Sequence, residues 1–187
     1  RSGEPFSWIY DGNANGDTQT LNDLVYVPET QSDIVLESDN WELMNAFIDG
    51  NDALDEARGS VIERNTARTP WQNILDVQVS QSIQTFEGQR IEIIAEVDNF
   101  LNMLNDDWGR IKNTSFNNVT AWAFEGYVTP DEVGTRENGR IITEDDVGKP
   151  RVSFEEETVR EKLNGNQFFT SEIPSRWRAR LSVKYTF

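Results

Sequence analysis

The sequence predicts an all-β chain whose long strands are the C-terminal strands of a transmembrane antiparallel β-barrel. Three observations predict it. Residues Arg176 to Phe187 alternate strictly between apolar and polar. Two further alternating segments are joined by the short turn Glu87-Gly88. The remaining segments are long and polar, an asymmetry that barrels of this kind share.

Composition narrows the function classes. The chain has 187 residues, 36% of them hydrophobic, and a formal net charge of -16. That charge would repel phosphates, so nucleic acid is excluded as a partner. No cysteine is present, hence no disulfide framework. No histidine is present either, which removes the commonest general base and the commonest transition-metal ligand. Arg1-Ser2-Gly3 has neither the charged nor the apolar region of a signal peptide. No run of about 18 apolar residues marks a membrane helix, but barrel strands need only about 9–11 residues.

The last strand, about 175–187, carries the clearest pattern. Trp177, Ala179, Leu181, Val183, Tyr185 and Phe187 fall on one face, and Arg178, Arg180, Ser182, Lys184 and Thr186 on the other. A lipid-facing band edged by aromatics, backed by a polar lumen, has this form. A half-buried strand of a soluble sandwich is the plainer alternative. The strand about 71–86 repeats the design with Leu75, Val77, Val79 and Ile83 against Asp76, Gln78, Ser80, Ser82 and Gln84, and Gln81 breaks its apolar face. The strand about 90–101 sets Ile91, Ile93, Ala95, Val97 and Leu101 against Arg90, Glu92, Glu96 and Asp98, with Ile94 as its exception. Glu87-Gly88 makes these two a hairpin. Pro70 stands where a strand can begin without losing a ladder donor. With a periplasmic C-terminus, both long segments, about 5–69 and 102–174, become outer loops.

Inside the loops, Ser38 or Asp39 is placed to cap a short helix through Ile48, with Trp41, Met44, Phe47 and Ile48 on one side and Gly50 as its stop. Residues 52–58 add a turn before Gly59. Val119 to Tyr127 and Arg151 to Phe154 read as strands, and 131–149 as a charged, mobile stretch without a core signal.

A family resemblance follows from an ordered set of residues. These are Ser2-Gly3-x-Pro5-Phe6, Asn22-Asp23-Leu24-Val25-Tyr26-Val27-Pro28, Arg58-Gly59, Arg64-Asn65 and Arg68-Thr69-Pro70-Trp71. The set continues with Asn73-x-Leu75-Asp76, Asp98-Asn99, Leu104-Asn105, Trp108-Gly109 and the terminal Ser175-Arg176-Trp177 with Tyr185-Thr186-Phe187. The chain resembles, over nearly its whole length, TonB-dependent receptors of Bacteroidota-like bacteria, nearest those with a carboxypeptidase-regulatory-like N-terminal domain. The resemblance implies the tail of an outer-membrane transporter for nutrient uptake, a barrel of about 22 strands around a plug. It implies partners as well: outer-membrane lipid, the rest of the barrel and its plug, an inner-membrane energy-coupling protein reached through the N-terminal part, and a surface lipoprotein as a further candidate. It also makes Val183, Tyr185 and Phe187 similar to the C-terminal signal read by barrel-insertion machinery.

Three constellations carry chemistry. Asp11-x-Asn13-x-Asn15-Gly16-Asp17, followed by Asn22 and Asp23, is close to a calcium loop of oxygen ligands, although Asn22 stands where a bidentate Glu is usual and Asp23 would have to substitute. An Asn/Gly-rich turn favours the same residues. Asp76, Glu92, Glu96, Arg178, Arg180 and Lys184 are expected to face the lumen, as wall electrostatics or as contacts to plug or substrate; the wall is favoured. Trp41, Trp108, Trp122, Phe168 and Phe169 either grip a ligand or pack the loops. No catalytic set is expected, because a triad in its usual form needs His or Cys and no phosphate loop is present. Asn113-Thr114-Ser115 and Asn118-Val119-Thr120 read as chance sequons. The alternative from another class is a secreted, calcium-stabilised β-domain that binds a surface partner.

Overall fold

The computed structural model describes residues 2–37, 40–155, 157 and 167–187. The chain is all-β, with strands throughout and few, short helices. It divides into two compact units, each contributed by separated stretches of sequence.

The first unit comprises Pro70–Asn113 and Phe169–Phe187 with the N-terminal Arg1–Gly3. To number elements in chain order, its strands are β6 (Val77–Gln84), β7 (Arg90–Asp98), β8 (Lys112–Asn113), β13 (Phe169–Thr170) and β14 (Arg178–Thr186). Strands β14, β7 and β6 form an open antiparallel sheet in that order. The pairing follows the alternation read from sequence, because one face of each strand is apolar and a slip would bury charge among aliphatics. Tyr185, Ile91 and Ile83 lie abreast, as do Leu181, Ala95 and Val79. On the other face Arg180 lies opposite Glu96, and Lys184 opposite Glu92. The strands are shorter than expected at one end. Asn99 turns the chain left-handed (φ 52°) into the short helix α3 (Phe100–Leu104). Leu101, expected as the last outward residue of a strand, is therefore helical.

Asn99 is the joint of this unit. It is buried, and its side-chain amide donates to the carbonyl oxygens of Gly109 (2.9 Å) and Ser175 (2.8 Å). Gly109 sits at φ +64°, and a Cβ there would fall 2.0 Å from Asn99 Oδ1. Ser175 closes the cluster by accepting the Ile111 N–H at its hydroxyl (2.9 Å), from the end of the short helix α4 (Glu172–Ser175).

The second unit comprises Glu4–Thr69 and Thr114–Phe168. Its strands are β1 (Pro5–Asp11), β2 (Tyr26–Val27), β3 (Val35–Leu36), β4 (Ser60–Val61), β5 (Ala67–Arg68), β9 (Asn118–Tyr127), β10 (Arg136–Glu137), β11 (Arg140–Ile141) and β12 (Pro150–Ser153). A mixed five-stranded sheet runs β3-β12-β9-β1-β5, with β1 parallel to β9. Most of the two long segments, 5–69 and 102–174, thus holds a hydrophobic core, in which the expected strands Val119–Tyr127 and Arg151–Phe154 are β9 and β12. β1 was not among the expected strands. Phe6 through Tyr10 are all buried, so the strand is covered on both faces and offers no alternation to detect.

Helix α1 (Trp41–Asp49) lays Met44, Phe47 and Ile48 onto this core, with Trp41 packed at its margin. Ser38 and Asp39, expected to cap it, lie outside the described residues; Asn40 occupies the N-cap without a side-chain cap bond. Gly50 ends the helix as expected, and α2 (Asp52–Asp55) adds the buried Leu54. Trp8 stands edge-on to both Phe6 (5.3 Å) and Phe47 (5.5 Å). Such edge contacts add about 0.5–1.5 kcal/mol each beyond burial.

Residues 131–149, expected to be mobile, are instead a pinned hairpin. Ile142 is buried with Val35 and Val128. Asp146 is fully buried and paired with Lys149 (2.9 Å) and Arg140 (2.5 Å). Arg151 reaches Glu132 (2.7 Å) and Glu137 (2.9 Å). Sequence reading missed this because the anchors are charged, and only their partners make them core.

Candidate functional site

Two surfaces have a geometry that points to function: the two-sided sheet of the first unit and a pocket within the second.

On the sheet, the apolar face is bare. Leu181 is 72% exposed, Val183 67% and Val79 63%, and no described residue covers them. Tyr185 and Phe187 adjoin at its C-terminal end, ring centroids 6.1 Å apart, and Trp177 lies exposed at the other. These include the expected assembly residues Val183, Tyr185 and Phe187; the Tyr185 hydroxyl donates to Gln89 (2.5 Å). The opposite face gathers the residues expected to line a lumen. Arg180 contacts Glu96 at 3.1 Å, Lys184 lies opposite Glu92, and Arg178 opposite Asp98. Asp76 precedes β6 and accepts the Asn99 N–H (2.8 Å). Both edges of the sheet, on β6 and β14, are unpaired among the described residues.

The residues expected to hold calcium form a hydrogen-bonded loop. Asp23 accepts the N–H groups of Ala14 (2.6 Å) and Asn15 (3.1 Å). Asn13 accepts that of Gly16 (2.8 Å), and Asn15 that of Asp17 (2.8 Å). Asp17 accepts the Gln19 N–H (2.8 Å) and the amide of Asn22 (3.2 Å). The Gln19 N–H, against the opposing effect of desolvation, holds the Asp17 carboxyl below its ordinary range. Asp11, at the end of β1, is exposed. Among the described residues no group of three or more acidic side chains is arranged to hold a metal ion. The Asn15–Asp17 and Asp17–Gln19 contacts are Asx turns, and Asp23 ties the start of the loop to its end.

This loop forms one wall of a cavity of about 590 Å³ lying wholly within the second unit. Three of the chain's four tyrosines, Tyr10, Tyr26 and Tyr127, line it. Burial pushes the Tyr10 hydroxyl up to about 12, so it is neutral, and it accepts the Tyr26 N–H (3.1 Å). Arg64 lines the opening, its guanidinium on the Asn22 carbonyl (3.2 Å). Sequence reading did not single out these tyrosines. They lie on three strands: Tyr10 on β1, Tyr127 on β9, which pairs with it, and Tyr26 on β2, whose approach segment bridges β1 at Ile9–Leu24. The aromatics it did name serve mainly as packing: Trp122 is core, Phe168 stacks edge-on to Phe6 (5.7 Å), while Trp108 and Phe169 are exposed.

No protein-family model, no curated protein and no solved structure matches this chain.

Proposed function

We propose that this chain is the C-terminal part of an outer-membrane TonB-dependent transporter for nutrient uptake, contributing its last three barrel strands and a folded extracellular unit. The observation that carries the reading is the register of the sheet. Four consecutive rows, broken only by Gln81, place aliphatic and aromatic side chains on one face, while on the other the cations of β14 lie opposite the acids of β7. In water such a face would be a liability, and in lipid it is the stable arrangement. The unpaired edges support it too, because strands in hydrocarbon must hand every N–H and C=O to a neighbour. Further barrel strands are the natural continuation. The chain enters β6, leaves β7 and enters β14 at one end of the sheet, the Glu87-Gly88 turn lying at the other. That arrangement fits short periplasmic turns and large extracellular segments. The family resemblance supplies the energy coupling, the plug and a surface lipoprotein as partners. In this reading the protein is not an enzyme.

The 187 residues contain no cysteine, so a label here can be placed at a chosen position. Leu181→Cys and Ser182→Cys are each spin-labelled in the intact protein in bilayers. The label at 181 is expected to be relaxed by oxygen dissolved in lipid and the label at 182 by a water-soluble nickel complex. Aqueous access at 181 equal to that at 182 would refute the membrane placement.

A further inference from the structure

The chain contains three Asn-Gly steps: Asn15-Gly16, Asn138-Gly139 and Asn164-Gly165, the last outside the described residues. An asparagine before glycine can close a five-membered imide, because glycine has no Cβ to keep its nitrogen away from the preceding side-chain carbonyl. The two described steps share a sequence and differ in surroundings. Asn138 and Gly139 join β10 to β11, and the pairing of Glu137 with Arg140 holds that turn at both ends. Asn138 sits at φ 46°, and its amide nitrogen donates to the Leu36 carbonyl (3.2 Å). Ring closure there must rotate a residue fixed between paired strands. Asn15 is exposed, in the irregular loop after β1, with no ladder on either side.

Three hydrogen bonds at Asn15 bear on the reaction. Its carboxamide oxygen accepts the Asp17 N–H (2.8 Å), a donor already aimed at the oxygen where negative charge develops when its carbon is attacked. Its carboxamide nitrogen donates to the Asp17 carboxylate (3.2 Å), which fixes the plane of the group. The Gly16 N–H is given to the Asn13 side-chain oxygen (2.8 Å). That bond is a brake, because the attacking nitrogen must shed this proton.

We infer that Asn15 is a site of spontaneous deamidation, and that the change loosens the loop 13–23. The Gly16 nitrogen bonds to Asn15 Cγ and loses its proton to water. The carboxamide C–N bond breaks, and its nitrogen leaves as ammonia after taking a proton from water. Water then opens the imide at either carbonyl carbon, giving an aspartate or an isoaspartyl link at position 15. The sum is amide plus water to carboxylate plus ammonium, with nothing oxidised or reduced. Either product replaces a donor to Asp17 with a second anion, so an attractive contact becomes a repulsive one. Asn15 and Arg64 both line the cavity, so the new carboxylate also changes the charge of that wall. The inference is independent of the membrane reading, since every residue it uses belongs to the second unit.

The test incubates the intact protein in mildly alkaline buffer, folded and in urea, and follows each step by peptide mass mapping and isoaspartyl methyltransferase labelling. In the folded protein Asn15 should convert severalfold faster than Asn138, and in urea the two rates should converge. Asn13→Ala, which frees the Gly16 N–H, should speed conversion of Asn15. Asn15→Asp should lower hydrogen-exchange protection of 13–23, and Asn138→Asp should leave that segment unchanged. Asn138 converting as fast as Asn15 in the folded protein overturns the site, as does conversion of Asn15 in urea alone. A rate unmoved by Asn13→Ala overturns the brake, and unchanged protection in Asn15→Asp overturns the loosening.

Discussion

The first unit wears its large apolar residues on the outside, and the second hides them. Leu181, Val183 and Val79 are each more than half exposed, whereas Trp8, Phe47 and Ile48 in the second unit are essentially sealed. Both are β-structures cut from one chain, so backbone type does not explain the contrast. The partner each sheet expects does. A sheet covered by its own helices and loops needs no alternation, and β1 shows none. A sheet left uncovered keeps an apolar and a polar face by strict alternation, and β14 shows it without a break.

The comparison can be broken most sharply by damage confined to one unit. Trp8→Ala should cost about 3–5 kcal/mol, the usual range for an aromatic lost from a core. Hydrogen-exchange protection should fall across the strands of the second unit while β6 and β7 keep theirs. Equal loss in both would mean that they fold as one. Next in size is a charge on the bare face. Leu181→Arg should cost about 2–4 kcal/mol near a bilayer midplane, seen as loss of the heat-modifiable band in outer membranes. Ser182→Arg, one residue on and facing the other way, should be tolerated. If both are tolerated, the bare face does not meet lipid.

A smaller effect sharpens the account of the pinned hairpin. The Thr129 N–H and then Arg151 hold the Glu132 carboxyl down, from 4.5 to about 2. Burial opposes the same trend at Asp146, but Lys149, Thr143 and Arg140 outweigh it and keep that carboxyl well below its ordinary range. Both groups are ionised more readily folded than unfolded. Their stabilisation is therefore complete above about 4.5 and is lost as pH falls toward 2. Exchange protection of 130–149 should be flat from neutral pH to about 4.5 and drop below it, and Glu132→Gln should flatten part of that drop. The smallest effect is expected of calcium. Asn13, Asn15 and Asp23 oxygens each accept loop N–H groups, yet an oxygen has a second lone pair. If Ca²⁺ uses those pairs, millimolar calcium should raise protection of 13–23 severalfold and Asp11→Ala should remove the gain. Unchanged protection after chelation leaves the turn as the whole account.

What could be read in the sequence divides along the same line. The three long strands were legible because their two faces differ. Helix α1 was legible because Met44, Phe47 and Ile48 recur at helical spacing. The core of the second unit was legible only in part: β9 and β12 were read as strands, but β1 is buried on both faces, and β2, β3, β4 and β5 are two residues long, too short to carry a period. The residues that suggested a family turn out to hold corners. Asn99, Gly109 and Ser175 meet in one buried cluster, and Thr69 exchanges hydrogen bonds with Glu4 (2.8 and 2.9 Å). Their resemblance signal lay in local geometry that no periodicity reports. The cavity was illegible for a third reason: Tyr10, Tyr26 and Tyr127 lie on three separate strands and become neighbours only when the second unit folds.

One apparent flaw in the alternation does more than spoil it. Ile94 interrupts the acidic face of β7, so that β7 reads Asp98, Glu96, Ile94, Glu92, Arg90 against Arg178, Arg180, Ser182, Lys184, Thr186 on β14. A slip of one residue would turn every side chain over. A slip of two would keep the faces, and with an unbroken row of acids it would pass unnoticed. Here it does not. Moved one way, Lys184 meets Ile94; moved the other, it meets Arg90. Only the observed alignment answers all three cations of β14 with acids. The misplaced isoleucine works like a missing tooth on a key: by making the row aperiodic, it lets the two strands recognise a single correct position and reject its near neighbours while the sheet is still being assembled.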